Sequence, residues 1–367
     1  MTIHFVDLDA QYQSIKSEVK AAIDGILETK DFIHGKSVEK FSKNFAAAQG
    51  SKYVVGASNG TSAITVALRA LGVGPGDEVI TVANSFFATP EAIAEVYAKP
   101  IFVDCDADTY SIDISQIEAK ITKKTKAIIP VHLYGNPVDM DALMKIANKH
   151  NIPVIEDCAQ AHLATWNGKG AGTFGAMGTF SFYPGKNLGA YGDAGAITVQ
   201  DDKLHQLVAM HVNHGRTKKY EHDFCAGNFR MDGIQAAVLD VKLKHLAAWT
   251  KKRQELAAFY ESLLKPHGFK TIGVKKEASC VYHIYLVEVS NRDEVMEHFK
   301  KMDIHCGVHY PIPLHLQPAL SHLEYKKGDF PVTEKAAERI LSLPMYAELT
   351  RDEVKKVCDE LIKVAKK

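Results

Sequence analysis

The chain has 367 residues, 46% of them hydrophobic and 24% charged, and its 44 basic residues are balanced by 44 acidic ones. A chain of this size buries a core without disulfides or metals, so stapled mini-scaffolds, fibres and disordered polymers are excluded. With no positive excess to neutralise phosphate backbones, nucleic acid is not expected as a partner.

The opening MTIHFVDLDAQYQ has no basic start and no apolar core. No later window approaches the roughly 18 consecutive apolar residues that span a bilayer, so the chain is expected to be cytoplasmic and free of membrane. From about residue 50 to 200, β-branched runs alternate with helical periodicity, the pattern of a parallel sheet with crossover helices. The clearest strands are EVITV (78–82), PIFVD (100–104), KAIIPVH (126–132), PVIED (153–157), TFSFY (179–183) and GAITV (195–199). After Asn59, residues Ile64, Ala67, Leu68 and Leu71 form one apolar helix face, which Gly72 and the turn GPGD end. From Met231 a helical stretch of about 35 residues outruns ordinary globular helices and suggests a connector between domains. We therefore expect a large α/β domain over 1–246 and a smaller α+β domain over 247–367. The second should hold a strand VYHIYLVEV, a helix from about Arg292, a strand HCGVHY and two more helices. The six cysteines lie far apart with no Cys/His spacing for zinc, so reduced thiols and no metal are expected.

Several segments carry chemistry. GAGTFG (170–175) satisfies the literal dinucleotide pattern, but a polar turn precedes it and a strand follows, the reverse of what that fingerprint requires. A nicotinamide-dependent reductase is set aside on that ground, and a glycine-rich loop is expected. In SFYPGKNLGAYGD (181–193), Lys186 follows a strand end and has no charged neighbour before Asp193. Poor solvation there would depress its pKa and make it an amine nucleophile fit for Schiff-base chemistry. Pyridoxal phosphate would further need an acid for its ring nitrogen, an anion site and an apolar plate. PVIEDCAQ ends a strand with Glu156 and Asp157, one of which faces a ligand or caps the next helix. SNGTSA (58–63) places Ser58, Gly60, Thr61 and Ser62 at a helix start, which serves either an anion or the cap alone. Phe86 and Phe87 follow a strand and either pack in the core or plate a ring.

Together SNGT (58–61), EDCAQ (156–160), SFYPGKNLGAYGD (181–193) and NFRMDGIQAA (228–237) resemble the DegT/DnrJ/EryC1/StrS family of pyridoxal-phosphate-dependent nucleotide-sugar aminotransferases over nearly the whole chain. The resemblance implies fold type I, with a mostly parallel sheet flanked by helices. It implies Lys186 as the Schiff-base lysine and proton shuttle, and Asp157 as the partner of the ring nitrogen. Gln160 matches the contact to the ring hydroxyl, Phe86 the stacking aromatic, and Gly60, Thr61 and Ser181 the phosphate ligands. Asn228 matches a phosphate ligand from the second subunit of a homodimer. The chain departs from the common pattern at Leu163 and Ala194, where glycine is frequent, and at Gly185, where a small hydroxyl residue is. Of these, Leu163 is expected to alter packing beneath the cofactor or the shape of the sugar pocket. GVHYPIPLHLQ (307–317) resembles members that aminate C3 of dTDP-3-keto-6-deoxyhexoses, with glutamate as donor. That places His309 and Tyr310 at the sugar, with Tyr183 and Lys219 beside them. The competing readings are C4 amination and a non-catalytic sensor that keeps the fold.

Overall fold

The computed structural model describes residues 2–366. Seven strands form its central sheet: β1 (Tyr53–Ala57), β2 (Glu78–Val82), β3 (Lys99–Val103), β4 (Thr125–Ile129), β5 (Ile155–Asp157), β6 (Met177–Ser181) and β7 (Gly195–Val199). Hydrogen bonding gives the orders β3-β2-β4 and β5-β6-β7-β1, and parallel bridges Ile128–Val154 and Val131–Asp157 join the two halves. Only β7 runs antiparallel to its neighbours. EVITV and GAITV coincide with β2 and β7; the other expected strands are offset by one to three residues at an end. The sequence reading lacked β1, whose YVVGA run is weakened by Gly56. A Cβ at that glycine would sit 3.1 Å from side-chain atoms of both Met231 and Val38, a tight fit that a larger residue enters only if those side chains shift.

Alternation along each strand decides which layer it feeds. Val79, Ala127 and Ile129 pack against α3 (Gly60–Ala70), the helix foreseen after Asn59, whereas Ile80, Val82 and Ile128 meet α5 (Met140–His150) on the opposite face. A third cluster puts Phe41 and Phe45 of α2 (Lys36–Gln49) under Phe180 and Phe182. α1 (Leu8–Thr29) and α4 (Ala88–Glu95) precede and interleave these elements, and α6 (Asp202–Val212) follows β7.

The long connector is α7 (Gly233–Leu264), 32 residues and about 48 Å at 1.5 Å per residue. Ala236, Leu239, Leu246 and Trp249 belong to the large core, and Leu256, Ala257, Tyr260 and Leu264 to the C-terminal one. The C-terminal unit holds β8 (Tyr285–Glu288), α8 (Arg292–Lys301), α9 (Pro331–Arg339), β9 (Ile340–Leu343) and α10 (Arg351–Val364). One expectation is corrected here: HCGVHY is no strand but makes a single bridge, Gly307–Ser342, and the partner of β8 is β9. Past Gly307 the backbone of the segment makes no further bridge among the described residues, while the His309 side chain reaches Ser342 of β9. β8 is also shorter than VYHIYLVEV, because Val281 and His283 donate their N–H groups to the carbonyls of Gly135 and Tyr134. Among the described residues no helix is long and apolar enough to cross a membrane.

Candidate active site

A cavity of about 810 Å³ opens where β2, β5 and β6 end, and Gly60, Thr61, Phe86, Asp157, Gln160, Ser181, Tyr183, Lys186, His309 and Tyr310 all line it. Ligands of open α/β sheets bind at this end of the strands because the helix N-termini converge there. Lys219 lies outside this cavity on an exposed hairpin, its ammonium 5.3 Å above the Tyr220 ring, and Asn228 bridges to Asn213 before α7.

The β1–α3 turn makes an anion cradle. Asn59 caps α3 by accepting from the Ser62 N–H at 2.8 Å, and the Ser62 hydroxyl answers the Asn59 N–H at 3.1 Å. The box leaves the N–H groups of Gly60 and Thr61 with no partner among the described residues. They face the cavity at the positive end of the helix dipole. A Cβ on Gly60 would sit 2.6 Å from the Cβ of Ser181, so glycine alone lets the two elements close on a small anion.

Glu156 and Asp157 point to opposite sides of β5 and have different fates. The Glu156 carboxylate turns away from the cavity and accepts from the N–H groups of Gly172 (2.8 Å), Phe174 (2.7 Å) and Gly175 (2.8 Å) and from His132 Nε2 (3.0 Å). His132 takes the Val138 N–H on Nδ1 at 3.0 Å, which fixes its tautomer. GAGTFG is therefore an anion-binding loop after all, and its anion is the chain's own Glu156. Cys158 lies beside this pair, but the lone pairs of His132 and Glu156 are already committed to N–H donors, which leaves none for a metal.

Asp157 faces the cavity, where its Oδ2 accepts from the Thr89 hydroxyl at 2.8 Å and its Oδ1 from the Ala159 N–H at 3.1 Å. Burial raises its pKa, opposed by those two bonds and by Lys186. Such a carboxylate favours a partner that brings a proton. Phe86 comes from the same β2–α4 segment as Thr89 and is 55% exposed, its ring 5.6 Å from that of Tyr310. The core-packing alternative thus fails for Phe86, whereas Phe87 packs against a small core with Phe102 and Phe330.

Lys186 sits on a tight loop after β6, its N–H bonded to the Tyr183 carbonyl. Burial lowers its pKa to about 8, with Asp157 pulling the other way, as the uncharged surroundings predicted. Its ammonium has no hydrogen bond or ion pair among the described residues. α7 holds the loop from below: Lys242 donates to the Gly189 carbonyl at 2.7 Å and lies 4.4 Å from the Tyr191 ring, while Gln235 accepts the Tyr191 N–H at 2.9 Å.

Tyr134 ties the opposite wall together. Its N–H donates to Gln160 Oε1, its hydroxyl to the His309 carbonyl at 2.6 Å, and its carbonyl accepts the His283 N–H at 2.9 Å. With its oxygen used, Gln160 presents Nε2 to the cavity, 3.2 Å from the Tyr310 hydroxyl. His309 stacks on Phe5 at 5.4 Å and meets Ser342 through Nδ1 at 2.9 Å; burial holds its pKa down to about 4. Phe5, Thr89, Asp193 and His283 escaped the sequence reading. Thr89 lies three residues after Phe86, and a histidine within an otherwise apolar strand signal marked His283; Phe5 left no local mark. Leu163, expected to alter packing beneath the cofactor or the shape of the sugar pocket, does not line the cavity: it packs on the core of Phe45 and Phe180, the latter a cavity residue, with a left-handed φ of 64°. That conformation explains why glycine suits the position.

The model of the DegT/DnrJ/EryC1/StrS aminotransferase family matches residues 13–362. A pleiotropic regulatory protein of Geobacillus stearothermophilus is 45% identical over 98% of this chain and 98% of its own length. The dTDP-3-amino-3,4,6-trideoxy-alpha-D-glucose transaminase of Streptomyces venezuelae is 39% identical over 97% and 94%. The UDP-2-acetamido-2-deoxy-3-oxo-D-glucuronate aminotransferase of Pseudomonas aeruginosa is 41% identical over 98% and 99%. Among solved structures, S. venezuelae DesV in complex with a ketimine intermediate superposes with a TM-score of 0.96 at 38% identity, covering 99% of this chain and 98% of that one.

Proposed function

The chain belongs to the DegT/DnrJ/EryC1/StrS aminotransferase family of fold type I, pyridoxal-phosphate-dependent enzymes that act on nucleotide sugars, and on that premise we propose that it aminates C3 of a dTDP-linked 3-keto-6-deoxyhexose, with glutamate as amino donor. The observation that carries the reading is Lys186: a partnerless amine with a pKa near 8, in a cavity that also holds a buried carboxylate and an unused helix N-terminus.

The residues present fit the cofactor. The Gly60 and Thr61 N–H groups, the Thr61 and Ser181 hydroxyls and the α3 dipole bind its phosphate, and Phe86 plates one face of its ring. Asp157 keeps a proton on the ring nitrogen, which relieves the penalty of its own burial. The fixed amide of Gln160 donates to the ring hydroxyl. Once bound, the group supplies an electron sink for charge developing on the carbon that carries nitrogen. Lys186 is the attachment point and, when released, its Nζ takes and returns the proton at that carbon; a pKa near 8 suits both directions near neutral pH. Tyr183, His309 and Tyr310 contact the sugar nucleotide. Asn228 and Lys219 act on the cavity of the second subunit in a homodimer, which accounts for their place outside their own.

Incubation with 2-oxoglutarate and either dTDP-3-amino-3,6-dideoxyhexose or a UDP-linked 3-amino sugar tests substrate and donor together, read as glutamate formed. Preference for the dTDP sugar supports the proposal; preference for the UDP sugar or a 4-amino isomer replaces it. A sensor reading has one point in its favour, the regulatory name of the 45% identical relative. Steady turnover removes it.

A further inference from the structure

His283 lines the same cavity but has no part in the account above. It lies just ahead of β8, its backbone N–H pinned to the Tyr134 carbonyl. Its Nδ1 is 3.2 Å from Asn187 Oδ1, and the Nδ2 of Asn187 donates to the Val281 carbonyl at 3.0 Å. An amide whose NH2 faces a carbonyl offers only its oxygen to the ring, so the hydrogen-bond network assigns the proton to Nδ1. Nε2 is then a bare lone pair with no partner among the described residues. Burial, reinforced by the charge of Lys186, holds the imidazole well below its usual range, so it stays neutral. Asn187 directly follows Lys186, so the same residue orients this acceptor and borders the nucleophile.

The chemistry of such an acceptor is selective. A lone pair repels the carboxylates of an amino donor and attracts a hydroxyl, the group that hexoses carry beside a reacting ring carbon. No bond joins it to Lys186. We propose that His283 is a specificity-determining contact that accepts a hydrogen bond from a sugar hydroxyl next to the carbon receiving nitrogen. The proposal rests on the reading of this cavity as the nucleotide-sugar aminotransferase site. A site built to pair a hydroxyl discriminates strongly against an analogue that lacks it, because the protein partner is left unpaired.

The test compares wild type, H283F, H283Q and H283N on dTDP-3-amino-3,6-dideoxyhexose and its 2-deoxy and 4-deoxy analogues, or on the UDP series if the panel above selects it. A glutamine amide reaches the place of Nε2, whereas asparagine reaches only that of Nδ1. H283F and H283N should lose about tenfold or more in kcat/KM on the full sugar, H283Q should retain most of it, and one deoxy analogue should erase the difference between wild type and H283F. An equal penalty on all three sugars, or equal loss in H283Q and H283N, would overturn the proposal. Should H283F fail to load cofactor, the glutamine–asparagine pair carries the comparison alone. Borohydride trapping of cofactor on Lys186 should survive in H283Q; its absence from wild type would instead sink the underlying reading of the site.

Discussion

Replacing Glu156 by glutamine removes a charge without changing shape, and the cost follows from what its two oxygens receive. Oε1 takes the N–H groups of Phe174 and Gly175, and Oε2 takes those of Gly172 and His132 Nε2. Whichever way the new amide turns, its NH2 confronts two N–H donors. His132 cannot relieve the clash by moving its proton, because Nδ1 must accept the Val138 N–H. Two buried donors left unpaired at about 1–3 kcal/mol each cost about 2–6 kcal/mol, against a typical total stability of about 5–15 kcal/mol. Asp157→Asn is different: the Thr89 hydroxyl on Oδ2 can rotate to accept from the new amide, and the Ala159 N–H keeps Oδ1. Its cost should stay within about 1 kcal/mol. Urea denaturation of the cofactor-free proteins measures both, and Glu156→Gln should shift the midpoint far while Asp157→Asn barely moves it. Equal midpoints for Glu156→Gln and wild type would refute the reasoning.

Lys186 in cofactor-free protein should titrate near its lowered pKa of about 8, with the midpoint lower still in Asp157→Asn, which loses the opposing pull; the pH profile of amine labelling at this residue checks it, and a midpoint in the ordinary lysine range contradicts it. Lys242 is also lowered by burial from 10.5 to about 8. Between those values the unfolded chain holds a proton that the folded chain releases, so this group adds stability as pH rises through that window. Lys242→Met should abolish that part of the rise, seen as urea midpoints that climb less than those of wild type above about pH 8, the remaining climb coming from Lys186. Leu163→Gly exchanges a left-handed strain of about 1–2 kcal/mol for lost packing and about 0.5–1 kcal/mol of glycine freedom. Its melting behaviour should therefore change little, and its turnover not at all; a large activity change would mean that Leu163 does reach the cavity.

These cavity-lining residues were legible because they sit in contiguous motifs at strand ends, where Lys186, Asp157, Thr61 and Phe86 each carry a local signal. Period-two alternation could also have separated Glu156 from Asp157, since neighbours in a strand face opposite sides. Other features depend on distant contacts that no local pattern encodes. Phe5 reaches the cavity by stacking on a residue some three hundred positions later, and His283 gains its character from Asn187. HCGVHY has the alternation of a strand, yet among its described residues only Gly307 bridges to a strand, because β9 occupies the pairing edge of β8. GAGTFG bound an anion as its glycines suggest, but the anion lay within the chain.

The most direct measurement is borohydride reduction of protein reconstituted with pyridoxal phosphate, followed by peptide mapping and, on a parallel sample, visible absorption before and after glutamate. The account predicts a single adduct on Lys186 and a yellow band that glutamate bleaches. An adduct on another lysine, or no band and no adduct after full reconstitution, would contradict it.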